Sequence, residues 1–118
     1  MPVNYLLVEV LRVYHRYLGP DFMVECPTGS GRLMNLDQVA DEIARRLISI
    51  FVDNGGRRPV FGASARFQDD PKWHDLIPFH EYFNGDTGAG LGASHQTGWT
   101  GLVGELVIQL NQRNSQSP

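Results

Sequence analysis

Glu81 is the residue of this chain best placed, by type and by spacing, to do chemistry. It lies within Ile77-Pro-Phe-His-Glu-Tyr-Phe-Asn-Gly85, among apolar and aromatic neighbours, and a glycine-rich run follows at Gly85, Gly88, Gly90 and Gly92. In an extended segment Ile77, Phe79, Glu81 and Phe83 share one face, so the register that buries the phenylalanines draws Glu81 inward with them. A carboxylate removed from water is compensated by a salt bridge or backbone N–H groups, or is kept for proton transfer. Spacing alone leaves both readings open. Tyr82, His95, Gln96 and Trp99 flank the carboxylate, and bare glycine backbone would let a ligand approach closely. That mixture suits a sugar, whose ring faces stack on aromatics while its hydroxyls meet polar side chains.

Other chemistries fail on spacing. Gly88-Ala-Gly90-Leu-Gly92-Ala93 satisfies the loose form of a dinucleotide fingerprint. It lacks an acidic residue about twenty positions downstream, and the helix after it belongs to no βαβ unit. Gly29-Ser-Gly31-Arg32 lacks the Gly-Lys-Ser/Thr ending of a phosphate loop. His80-Glu81 opens like a zinc-protease helix, but Asn84 stands where the second histidine is required. His15, His74, His80, His95 and Cys26 show no ligand spacing, so no metal and no cofactor is expected. Gly92-Ala-Ser94-His95-Gln96 misses a nucleophile elbow by its last glycine.

The elements that must position Glu81 read as mainly α. Val3, Leu6, Leu7, Val10, Leu11, Tyr14 and Leu18 recur at helical steps from Val3 to Leu18, and Gly19-Pro20 stops them. Pro2 suits a first helical turn, and the abrupt start at Met1 suggests a helix cut from a longer chain. Phe22 to Leu33 has loop composition around Cys26-Pro-Thr-Gly-Ser-Gly31. Asn35 and Gln38 form a capping box for a second helix, whose stripe runs from Leu36 to Phe51 before Asn54-Gly55-Gly56 turns the chain. Arg58 to Gly62 reads as a short extended piece, and Asp69-Asp70-Pro71 as the start of a brief helix through Trp73 to Leu76. A last helix is expected from about Thr97 to Leu110. Residues 111–118 then form a polar tail expected to fray, leaving 1–110 as the folded domain.

The bulk properties bound the rest. With 118 residues, 42% hydrophobic and 19% charged, the chain is an ordinary globular length and composition. A net charge of −3 and only two short basic pairs, Arg45-Arg46 and Arg57-Arg58, argue against a nucleic-acid partner. Cys26 is the sole cysteine, which fits a reducing compartment. No signal sequence and no run of about 20 apolar residues is present, so a cytoplasmic protein without a membrane partner is expected. The broad helical stripes expect more neighbours than three long helices supply. Dimerisation, or a place at the end of a longer protein, would provide them.

Phe79-His-Glu-Tyr-Phe83, and the run from Gly85-Asp-Thr-Gly-Ala-Gly-Leu-Gly92 through Ser94-His-Gln-Thr-Gly-Trp99 to Val103, resemble the C-terminal signature of glycoside hydrolase family 63. Pro2-Val-Asn-Tyr-Leu-Leu7 resembles another segment of that family. Val24-Glu-Cys-Pro-Thr-Gly-Ser-Gly31 and Arg57-Arg-Pro-Val60 resemble its bacterial members. The likeness runs from Pro2 to about Leu110. It implies the C-terminal fragment of an (α/α)6 barrel, akin to processing mannosyl-oligosaccharide glucosidase and to bacterial mannosylglycerate and glucosylglycerate hydrolases. Such enzymes invert the anomeric centre, with an acid and a base roughly 6.5–9.5 Å apart. Glu81 matches the general base, with Tyr82, Asp86, His95, Gln96 and Trp99 near the sugar. The family's general acid is an aspartate upstream, and no residue here matches it; Asp86 is too committed to its loop to take that part. Asn84 replaces a histidine of the pattern, and His74 an arginine.

The resemblance implies an α-glucosidase-type segment that carries the base without the acid and is inactive or nearly so by itself. A non-catalytic module completing a split barrel with the missing N-terminal part, or a truncated-gene remnant, would carry the same residues.

Overall fold

The computed structural model describes residues 1–95 and 98–116. The fold is mainly α, with two very short antiparallel pairs of strands. Cα packing divides the chain into two compact units, Pro2–Arg45 and Arg46–Pro118 joined by Met1.

In the first unit, α1 (Pro2–Leu18) ends where the Gly19 N–H returns to the His15 carbonyl at 2.9 Å. The loop expected between Phe22 and Leu33 contains strand β1 (Met23–Glu25), paired with β2 (Leu33–Asn35) in the register Met23–Asn35, Val24–Met34 and Glu25–Leu33. Loop composition concealed these strands because they are only three residues long. The Glu25 carboxylate closes their connection by accepting the Gly31 N–H at 2.6 Å. Helix α2 (Leu36–Ser49) begins at the expected capping box: Gln38 N–H donates to Asn35 Oδ1 at 2.9 Å, and Asn35 N–H to Gln38 Oε1 at 3.0 Å. These bonds satisfy backbone donors that a helix start leaves open.

Leu36, Ala40 and Ala44 of α2 are buried, while Gln38, Arg45, Arg46 and Ser49 face outward. Helix α1 behaves differently. Its buried residues are Val8 and Arg12, and Arg12 reaches Asp41 of α2 at 3.2 Å. The stripe expected to face a core is on the outside: Val3, Leu6, Leu7, Val10, Tyr14 and Leu18 are exposed. Periodicity locates such a stripe without specifying what covers it.

The second unit is built around Phe51, Val60, Phe61 and Val103. Ile77, Phe79 and Phe83 pack against this core, and the Phe51 ring meets those of Phe79 and Phe83 at 6.1 and 5.6 Å. Residues 58–62 form a 3-10 turn (Pro59–Phe61), not an extended piece, because the Gly62 N–H turns back onto the Pro59 carbonyl. The brief helix falls earlier than expected, at α3 (Ala65–Asp69). Asp70 organises turns after it: its side chain accepts the Lys72 N–H, and its carbonyl accepts those of Trp73 and His74.

Strand β3 (Tyr82–Phe83) pairs with β4 (Gly90–Leu91). A 3-10 turn at Trp99–Gly101 leads into α4 (Leu102–Gln116), which extends through residues 111–116, where the sequence suggests a polar tail. Val103, Leu106 and Leu110 are its buried side. Among the described residues, no helix is long and apolar enough to cross a membrane.

Candidate functional site

The β3–β4 hairpin carries the site. Tyr82 stands opposite Leu91, but the Glu81 N–H bonds the Ala93 carbonyl at 3.0 Å. One step along β3 therefore corresponds to two on the other strand. The extra residue is Gly92 at φ +72°, a β-bulge of the kind that requires glycine in a left-handed conformation. The chain bends at Glu81, and the pleat that would have carried its side chain inward with Phe79 and Phe83 is interrupted.

Glu81 is consequently exposed, contrary to the alternation argument, while Phe79 and Phe83 remain partly buried. Its peptide is firmly held. The Trp99 indole N–H donates to the Glu81 carbonyl at 3.3 Å, and the Thr100 hydroxyl donates to the His80 carbonyl at 2.7 Å. A Cβ added to Gly92 would stand 2.8 Å from Glu81 Oε2 and 2.7 Å from Tyr82 Cε1. Carboxylate and phenol ring thus lie together over bare backbone. A Cβ on Gly90 would collide with the His80 ring, so both glycines permit close approach at this hairpin.

Glu81, Tyr82 and Trp99 are therefore assembled at one end of the β3–β4 ladder, all three exposed. Asp86 lies in the loop beyond the other end. There Asn84 Oδ1 accepts the Asp86 and Thr87 N–H groups, both at 2.9 Å. Asn84 is therefore a turn-former. His95 joins Phe79 through a backbone bridge, and its Nδ1 is 3.2 Å from Ser94 Oγ. Burial, together with the neighbouring His95, holds the His80 pKa below the ordinary histidine value, and a hydrogen bond to the Leu91 backbone only partly opposes this. Gln96 lies outside the described residues.

A cleft of about 530 Å³ beside His95 and Ser94 is lined by Phe67, Trp73 and Asp75. In the sequence, residues 69–76 read as the start of a brief helix and not as part of a site. The signal for the cleft was the pairing of an aromatic with a carboxylate in Trp73-His74-Asp75, a combination that suits a polar ligand with an apolar face. The Arg66 guanidinium covers the Trp73 ring at 5.2 Å. Among the described residues, no group of three or more His, Cys, Asp or Glu side chains is placed to hold a metal ion.

No family model and no solved structure matches the chain. Over 109 residues it is 49% identical to an uncharacterized protein of Saccharomyces cerevisiae, YMR196W. That match covers 90% of this chain and 10% of the yeast protein. The chain thus spans about a tenth of the length of the curated relative it matches.

Proposed function

We propose that this chain is the C-terminal segment of an inverting, family 63-like glycoside hydrolase of α-glucosidase type, with Glu81 as general base. The observation that supports this reading most directly is the anchoring of the Glu81 peptide. Its N–H is held by Ala93 and its carbonyl by Trp99, while the carboxylate faces solvent over Gly92 beside Tyr82. A water-activating base needs this combination of a fixed backbone and an accessible carboxylate. Tyr82 and Trp99 offer aromatic faces to a sugar ring, and His95 offers a polar edge. The general acid belongs to polypeptide outside this chain, as does the rest of the (α/α)6 barrel.

The base would accept a proton from a water attacking the anomeric carbon as the acid protonates the leaving oxygen. Without that acid the 118-residue chain should show little or no hydrolysis. The test uses YMR196W with its matched segment replaced by this chain. The chimera is incubated with α-linked gluco-oligosaccharides, and the first-formed anomer is read by proton NMR. Release of the β-anomer, with a loss of about 10²–10⁴-fold on Glu81→Gln, is expected. Release of the α-anomer, or hydrolysis indifferent to Glu81→Gln, would overturn the reading.

A further inference from the structure

Asparagine is followed by glycine twice in this chain, at Asn54-Gly55 and Asn84-Gly85. Such a pair carries its own chemistry. Glycine has no Cβ to shield its backbone nitrogen, which can therefore attack the asparagine Cγ. The new C–N bond closes a succinimide ring, the glycine N–H proton passes to water, and the side-chain nitrogen leaves as ammonia. Addition of water then opens the ring to aspartate or isoaspartate, with no oxidation or reduction. Both pairs are exposed, so access to water does not distinguish them. Their hydrogen bonds do.

Asn84 is held through its backbone and its side chain. Its N–H donates to the Ala89 carbonyl and its carbonyl accepts the Gly88 N–H, both at 2.9 Å. Its Oδ1 accepts the Asp86 and Thr87 N–H groups, also at 2.9 Å. Ring closure must turn this side chain onto the Gly85 nitrogen, a movement that both side-chain bonds resist. Asn54 is tied through its backbone N–H, which donates to the Arg57 carbonyl at 2.9 Å. Among the described residues nothing holds its side-chain amide. Gly55 and Gly56 follow at φ +65° and +85°, the signs of a type I′ turn, so the tip beside Asn54 is bare backbone. We infer that Asn54 is a site of succinimide-mediated deamidation in this folded chain, and that the side-chain bonds of Asn84 protect the hairpin carrying Glu81 from the same reaction. The product puts a new carboxylate on a cleft of about 520 Å³ that Asn54 lines with Arg57, Arg58 and Thr87. Arg57, whose guanidinium is 4.0 Å from Asp69, is the adjoining cation.

The test involves no hydrolysis of a glycoside, so it stands or falls apart from the glycosidase reading. The 118-residue chain is incubated at mildly alkaline pH, both folded and in guanidinium chloride. Peptides spanning each site are followed by mass spectrometry, with isoaspartate counted by an isoaspartyl methyltransferase. Each site's rate in denaturant is its own reference. In the folded chain Asn54 should stay within about threefold of that reference, while Asn84 should slow by roughly tenfold or more, since two hydrogen bonds of ordinary strength have to open. Asn54→Gln should remove most of the acidic isoform that isoelectric focusing detects after incubation. Equal folded-state rates at the two sites, or protection of Asn54 as strong as that of Asn84, would overturn the inference. A folded-state rate at Asn84 above its rate in denaturant would overturn it too, by showing that the Asp86 and Thr87 N–H groups stabilise the oxyanion of the attack instead of restraining the side chain.

Discussion

The Thr100 hydroxyl donates to the His80 carbonyl at 2.7 Å, pinning the turn before α4 to the peptide immediately preceding Glu81. Thr100 is fully buried, so its partner oxygen loses this bond without ready replacement by water. Thr100→Val keeps the shape and removes the donor, and should cost about 1–3 kcal/mol in a denaturant titration. Thr100→Ser retains the hydroxyl and should cost less. If the two variants unfold at the same midpoint, the hydrogen bond is not what holds the peptide.

Gly92 separates backbone strain from crowding. Gly92→Ala must place a methyl at φ +72° against both Tyr82 and the Glu81 carboxylate, whereas Gly55→Ala adds one at φ +65° with nothing within 4 Å. The left-handed conformation alone costs about 1–2 kcal/mol in each. Gly92→Ala should therefore lower the thermal midpoint further than Gly55→Ala. Its Tyr82 and Glu81 NMR resonances should also move, while Gly55→Ala leaves them in place.

The reciprocal bonds of Asn35 and Gln38 predict coupling between the two side chains. Asn35→Ala should destabilise the chain by about 0.5–2 kcal/mol. Adding Gln38→Ala to it should cost less than Gln38→Ala costs alone, because losing the Asn35 Oδ1 bond to the Gln38 N–H already loosens the turn that holds the Gln38 side chain against the Asn35 N–H. Strict additivity in a double-mutant cycle would mean that the two ends of the box act separately.

Those features were legible in the sequence to different degrees, for physical reasons. The capping box is local: four residues determine it, and no tertiary contact has to be guessed. The extent of α1 was equally readable from the 3.6-residue period and Gly19-Pro20. Which side of α1 faces inward was not, since Arg12 takes an inward position through Asp41, twenty-nine residues away. Glu81 failed for a related reason. Alternation holds only while both strands advance one residue at a time, and Gly92 breaks that step from the opposite strand. Chain bend, bulge and indole anchor are all long-range consequences of pairing residues 79–83 with 90–95, which no local pattern states.

The environment of His80 predicts a pH dependence of stability. Burial and the neighbouring His95 hold its folded-state pKa below 6.5, and the Leu91 hydrogen bond does not fully offset them. The unfolded chain therefore binds a proton at His80 more readily than the folded chain does, and between the two pKa values stability increases with pH. The contribution is fully present above the unfolded value and is lost progressively as pH falls below about 6.5 toward the lowered folded value. Glu25 acts in a separate window. Its carboxylate accepts backbone N–H groups of Gly29 and Gly31, which lowers its pKa from 4.5, so its contribution is lost only as pH falls below that value. Thermal melts from pH 8 to about pH 3 should show a midpoint that declines as pH falls below about 6.5. His80→Gln should flatten that decline, and Glu25→Gln should leave it unchanged while altering the behaviour below pH 4.5. A decline that persists in full in His80→Gln would assign the proton to another group.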